Sequence, residues 1–294
     1  MQKRILQLDP VEDCQQIAYL NSAYEFPFDM PRSLEFALYR TFAVPSIAAL
    51  LHQTGEFGQR AQKRYDDTDL IMSEIVEHGY DSERGRAAIR RMNQLHGRYA
   101  ISNDDFLYVL STFIFEPIRW IERFGWRKLS ETEKLATFHF FRHVGRYMNI
   151  KEIPDSMEEF ERFNREYERR NFRYSEASKH VATATRDMFL SWYLPKPLRR
   201  FAAPFVYALM DDPLLEAFGF PRPSTRMRRF VEGTLRLKAR INRLLPPRHR
   251  PRLRTQDIKH RTYPRGYRIE NLGPPIGPHE IKPTTAALGA SEHG

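Results

Sequence analysis

Between Pro45 and Pro195 apolar side chains recur every three or four residues, turn-forming residues are sparse, and alternating β-branched runs are nearly absent. That period belongs to amphipathic helices rather than strands. Leu34, Ala37, Leu38 and Phe42 make one stripe, and Phe106 to Phe115 continues into another through Ile118 and Ile121. Ser130-Glu-Thr-Glu133 and Asp155-Ser-Met-Glu158 each set a capping residue three positions ahead of a glutamate, a helix-start pattern. The first predicts a helix carrying Leu135, Phe138, Phe141 and Tyr147, the second one carrying Phe160, Phe163 and Tyr167. Residues 56–98 read as two helices with a turn at Gly79-Tyr-Asp-Ser82. The fold class expected is all-α, without internal repeats.

A further helix starts after Ser224, with Met227, Phe230, Thr234, Leu237, Ile241 and Leu244 on one side and arginines crowding the other, and it must stop at Pro246-Pro247. Beyond it the chain is dense in Pro and Arg without any period, which predicts extended chain laid over the body and disorder in about the last ten residues. The expected division is therefore a helical domain over 1–245 and a basic, extended tail over 246–294.

With 294 residues, 41% of them apolar, the chain can fill a substantial core. Its net charge of +10 is uneven, because residues 222–268 hold sixteen Lys/Arg against only Glu232 and Asp257. A basic segment on a mildly acidic body argues against a nucleic-acid binder; its ordinary reading is a solvated surface, and its functional reading is docking to anionic lipid. The first residues lack the apolar stretch of a signal peptide, and charges break each later apolar run. A soluble, cytoplasmic protein is expected, with peripheral membrane contact as the functional option. Cys14 is the only cysteine, so an intrachain disulfide, a thiolate zinc site and an iron–sulfur cluster are excluded.

Candidate chemistry concentrates in the two helices of 56–98. Arg60, Arg64 and Thr68 recur at four-residue steps, so two guanidinium groups and a hydroxyl share a face suited to a dianion. On the second helix Ile89, Met92, Asn93 and His96 share a face, an imidazole among apolar groups where a flat apolar cofactor can sit. A histidine in the last helical turn also has a bland reading, since the helix dipole and free carbonyls favour it there. His139 and His143, four apart, are the competing metal pair, but the Glu of an HExxH pattern is missing. Glu74 with His78 and Glu176 with His180 read as surface contacts. Trp120, Trp126 and Trp192 read as core, and neither a Gly-rich phosphate loop nor a G-x-S-x-G elbow occurs.

Arg64 and Thr68, followed 28 residues later by His96, resemble the haem-binding core of latex-clearing (rubber) oxygenases and the related MpaB-type oxygenases. IPDSMEEFERFNREYE at 153–168, YLPKPLRRFAAP at 193–204 and YPRGYRIENLGP at 263–274 add to the resemblance. It implies a globin-like helical fold holding haem b, with His96 as proximal iron ligand and dioxygen activated for attack on an apolar, isoprenoid-like double bond. Arg60, Arg64, Thr68, Met92 and Asn93 are the expected cofactor contacts, with Asn93 or a helix carbonyl fixing the His96 tautomer. Latex-clearing proteins carry a lysine just before the matching threonine, whereas this chain has Asp67, the candidate catalytic base. The alternative function is a non-enzymatic helical adaptor that uses the 225–245 helix for membrane or partner contact.

Overall fold

The computed structural model describes residues 1–258 and 260–274; the proposed disorder of the last ten residues lies outside them. In chain order the helices are α1 (Gln2–Ile5), α2 (Cys14–Leu20, running into a π turn at Asn21–Glu25), α3 (Asp29–Thr41), α4 (Pro45–Gln53), α5 (Glu56–His78), α6 (Glu83–His96) and α7 (Asn103–Phe124). There follow α8 (Glu131–Tyr147), α9 (Met157–Asn171), α10 (Glu176–Ser191), α11 (Lys196–Tyr207), α12 (Asp212–Phe218), α13 (Thr225–Leu244) and α14 (Arg254–Asp257). Among the described residues there is no strand.

Most starts have a local cause. Ser82, Ser102, Ser156, Ser175, Asp211 and Ser224 each accept a backbone N–H from the first turn of the helix they precede. Ser130 and Glu133 form the reciprocal capping box expected of them. The second predicted start is displaced by one residue: Ser156 caps α9 by accepting from the Glu159 N–H at 3.1 Å, while Asp155 pairs with Arg142 instead.

The long helix α7 runs through the larger of two apolar clusters, with α3 lying along it and α8 and α9 against its other sides. Aromatic contacts set the spacing, with Phe36 and Trp120 rings 5.2 Å apart and Phe113 and Phe141 rings 5.8 Å apart. Each such buried side chain contributes roughly 1.5–3 kcal/mol. A second cluster joins Tyr39, Phe42 and Phe57 to α10 and α12, and the Tyr39 hydroxyl donates to the Ala182 carbonyl at 2.7 Å. Beside it Arg40 makes a bidentate pair with Glu168 and a 2.7 Å bond to Asp211, which fastens α3 to α9 and to the cap of α12.

The α5–α6 hairpin turns at Gly79, whose φ of +88° suits glycine. Gly85 approaches that turn so closely that a Cβ there would lie 1.8 Å from the Gly79 carbonyl oxygen. Residues 252–258 and 260–274 return across this hairpin. Arg254 is bidentate on Asp69, the Thr262 N–H donates to Asp66 at 2.8 Å, and Arg91 donates to the carbonyls of Leu272 and Pro274 at 2.7 and 3.1 Å.

One open sequence reading is resolved here and one changes. The orientation of the apolar row on α13, which the sequence left open, is settled: Phe230, Leu237, Ile241 and Leu244 face outward, and Leu235 and Ala239 seat the helix. Glu74 is fully buried rather than on the surface, where it pairs with Arg84, receives the Tyr267 hydroxyl at 2.5 Å and lies 3.5 Å from His78. Glu176 and His180 are exposed. Among the described residues no single helix is long and apolar enough to cross a membrane; α3 and α4 together have the composition but bend by 97°.

Candidate active site

Side chains of both apolar clusters line one cavity of about 300 Å³. That is the lower end of the range for small-molecule and cofactor sites. Its walls are mostly apolar: Leu50 and Leu51 from α4, Ile71 and Met72 from α5, Met92 and Leu95 from α6, and Phe106 and Leu110 from α7. Gly273 and Pro274 of the returning segment complete the lining. The polar groups that reach it include Glu35, Arg64, Tyr65, Asp67, Thr68 and His96.

His96 occupies the last turn of α6, and Gly97 after it keeps a right-handed conformation, so no glycine-specific turn ends this helix. Its ring packs against Phe106 with centroids 5.4 Å apart. Nδ1 is buried without a hydrogen-bond partner among the described residues. Burial, and secondarily the Arg64 charge, push the imidazole pKa down to about 4, so the ring is neutral at pH 7. A neutral imidazole on a cavity wall, with one buried nitrogen lacking a partner among the described residues, is a metal-ligand donor.

Arg64 lies on the facing helix. Its guanidinium donates to the Thr68 hydroxyl, which in turn donates to the Arg64 carbonyl at 3.0 Å, and it lies 5.7 Å from the centre of the Phe57 ring. No carboxylate among the described residues lies within ion-pair distance of it. Burial lowers its pKa, against the opposing fields of Asp67 and Glu56, but a guanidinium stays charged. The arrangement is a cation in want of an anion at the edge of an apolar cavity.

The structure gathers His96, Arg64, Thr68, Met92 and Asp67 around this cavity, but not Arg60 or Asn93. The backbone kinks at Arg60 (φ −138°, ψ 41°), which breaks the four-residue register from which a shared face with Arg64 was read. Arg60 is half exposed and pairs with Glu56. The Asn93 amide donates to the Tyr147 carbonyl at 3.0 Å, away from the imidazole whose tautomer it was expected to fix. Asp67 is held by the Lys63 ammonium at 2.8 Å and by the Tyr263 hydroxyl.

Glu35 and Tyr65 belong to the site without having been singled out from sequence. The Tyr65 hydroxyl donates to the Glu35 carboxylate at 2.6 Å. Burial pushes the Glu35 pKa up to about 7, although Arg32 and that hydrogen bond oppose it. The available signal was a lone carboxylate inside the Leu34, Ala37, Leu38 stripe. His139 and His143 lie outside the cavity lining; His143 stacks on Tyr80 at 5.0 Å. Among the described residues no group of three or more His, Cys, Asp or Glu is placed to hold a metal ion.

Residues 35–241 match the family described as "ER-bound oxygenase mpaB/B'/Rubber oxygenase, catalytic domain". The ER-bound oxygenase mpaB' of Penicillium brevicompactum is 31% identical over 241 residues, 76% of this chain and 57% of that protein. The ER-bound oxygenase mpaB of Penicillium roqueforti (strain FM164) is 30% identical over 224 residues, 70% of this chain and 75% of the relative. The match thus spans little more than half of the first relative and three quarters of the second.

Proposed function

The chain belongs to the mpaB and rubber oxygenase catalytic-domain family, and from that premise we propose that it is a haem b-dependent oxygenase acting on an apolar, unsaturated, isoprenoid-like substrate. One observation carries the haem reading: the cavity offers a single neutral imidazole with an orphaned nitrogen, and the described residues offer no cluster of further ligands. A lone histidine suits an iron whose remaining donors would come from a macrocycle rather than from the chain. The rest of the cavity fits the same group, since its walls are apolar and Arg64 with Thr68 can hold a propionate.

When bound, haem supplies the redox chemistry with dioxygen. The chain's own part is to orient and to exclude. His96 would be the proximal ligand, steered by Phe106, and Met92 and Leu95 would pack beside it on the same helix. The apolar walls keep water from the reacting groups and accept a substrate without polar handles. Glu35 can keep a proton near neutral pH at the cavity wall, with the Tyr65 hydroxyl as its partner. Asp67 was the sequence candidate for that task, but Lys63 already neutralises it, so we assign the proton-handling role to Glu35 first and to Asp67 second. Membrane attachment, which the names of the ER-bound relatives state for them, is part of the same reading.

The absorbance spectrum of the full chain, purified after haem-replete expression, tests the proposal. A Soret band is expected, lost in His96→Ala and kept in His139→Ala and His143→Ala. Arg64→Ala should weaken haem retention roughly 10- to 100-fold, the worth of one charge-assisted bond. An unchanged spectrum in His96→Ala overturns the ligand, and a parent without a Soret band favours the adaptor alternative.

A further inference from the structure

Helix α13 carries apolar side chains on two opposite sides. Leu235 and Ala239 seat it on the body, while Arg228 donates to the Met210 carbonyl and Lys238 pairs with Asp29. Phe230, Leu237, Ile241 and Leu244 follow at steps of seven, four and three residues, which returns each to the outward side. All four are more than half exposed, Leu244 by 85%. Helix α11 adds Leu198, Phe201 and Phe205, also exposed, and the Phe205 and Phe230 rings lie 6.2 Å apart, so the two rows join. An apolar surface of this extent on a water-facing helix is costly unless something covers it.

The charge around the row says what covers it. Arg226, Arg229, Arg240 and Arg243 are exposed along α13, and Lys196 and Arg200 along α11. The one carboxylate of the two helices, Glu232, is already paired with Arg123 and Arg236. A second copy docked through a two-fold axis would set arginine row against arginine row with no carboxylate between them. Anionic headgroups supply the missing charge, and the acyl boundary takes the apolar row. We propose that the α11–α13 face is the docking surface for an anionic lipid bilayer, with Phe201, Phe230, Leu237 and Ile241 entering the interface and the flanking arginines meeting headgroup phosphates and carboxylates. This rests on the membrane part of the function proposed above and is independent of its haem.

Sedimentation of the full chain with vesicles of phosphatidylcholine alone, and of equal parts phosphatidylcholine and phosphatidylserine, tests the assignment. Strong pelleting is expected with the anionic vesicles only, reduced but not abolished by high salt, because screening removes the headgroup attraction and leaves the apolar insertion. The Arg229→Gln/Arg240→Gln variant should partition about 25-fold less, near fivefold for each arginine. The Phe230→Gln/Leu237→Gln/Ile241→Gln variant should bind at low salt and release at high salt. These side chains are exposed, so the far-UV spectrum and any Soret band should match the parent, which separates failure of this surface from failure of the haem reading. A parent that ignores anionic vesicles overturns the proposal. So do variants that bind as the parent does, or concentration-dependent self-association that the triple variant abolishes while vesicles are ignored.

Discussion

Glu35 holds its proton close to neutrality, and this has a measurable cost. Its folded pKa of about 7 stands above the ordinary 4.5, so folding favours the protonated form. The stability it contributes is whole below about pH 4.5 and is lost as pH rises through 7. Urea unfolding at pH 5 and pH 8 should therefore show a loss toward pH 8 that Glu35→Gln removes; equal pH dependence in parent and variant would refute a buried, protonated Glu35. The buried Glu74 acts in the opposite sense. Arg84 and Tyr267 outweigh its burial and hold its pKa down, so its contribution is lost as pH falls. His96 was legible in the sequence because an imidazole on an apolar helical face is conspicuous. Glu35 was not, because one acid in an amphipathic stripe looks the same whether it faces water or a buried cavity.

Among the elements, the α5–α6 hairpin was the most legible, since Gly79 and Ser82 mark its turn and helical periodicity holds on both sides. The kink at Arg60 was not singled out, although Gly58, two residues earlier, is a poor helix former. The returning segment was read as chain over the body, but its grip depends on pairings that lie nearly 200 residues apart and leave no local pattern. One of them titrates. His260 is buried, with Nδ1 3.7 Å from Asp66 and 3.6 Å from Asp69 and with Nε2 3.1 Å from the Arg254 carbonyl. Burial disfavours its charge, but the neighbouring Asp66 and Asp69 carboxylates outweigh it and raise the pKa above 6.5. Its grip is then complete below pH 6.5 and is lost as pH rises through the folded value. Hydrogen exchange of the Arg254 and Thr262 amides, corrected for intrinsic rates, should accelerate from pH 6 to pH 8.5, and His260→Gln should erase the difference. Protection that does not vary with pH in the parent would show that His260 is not the fastener.

At the scale of the molecule, the two apolar clusters stay in register through Arg40, whose ion pairs join α3 to α9 and to the cap of α12 beside the second cluster. Arg40→Met strands Glu168, with the Tyr108 hydroxyl as its remaining neighbour at 3.1 Å, and should cost about 3–5 kcal/mol in chemical denaturation, as expected for one side of a buried pair. A loss below about 1 kcal/mol would class the network with ordinary surface pairs. The cavity between the clusters has a different dependence on the whole chain. Its lining ends with Gly273 and Pro274, and Gly273 presents its carbonyl to Lys63 across 210 positions of sequence. On a ribosome adding about 5–20 residues per second, the helices bearing His96 and Arg64 emerge roughly ten seconds or more before that wall exists. Until then a nascent chain lacks that part of the cavity wall, which is added only when the returning segment is laid down.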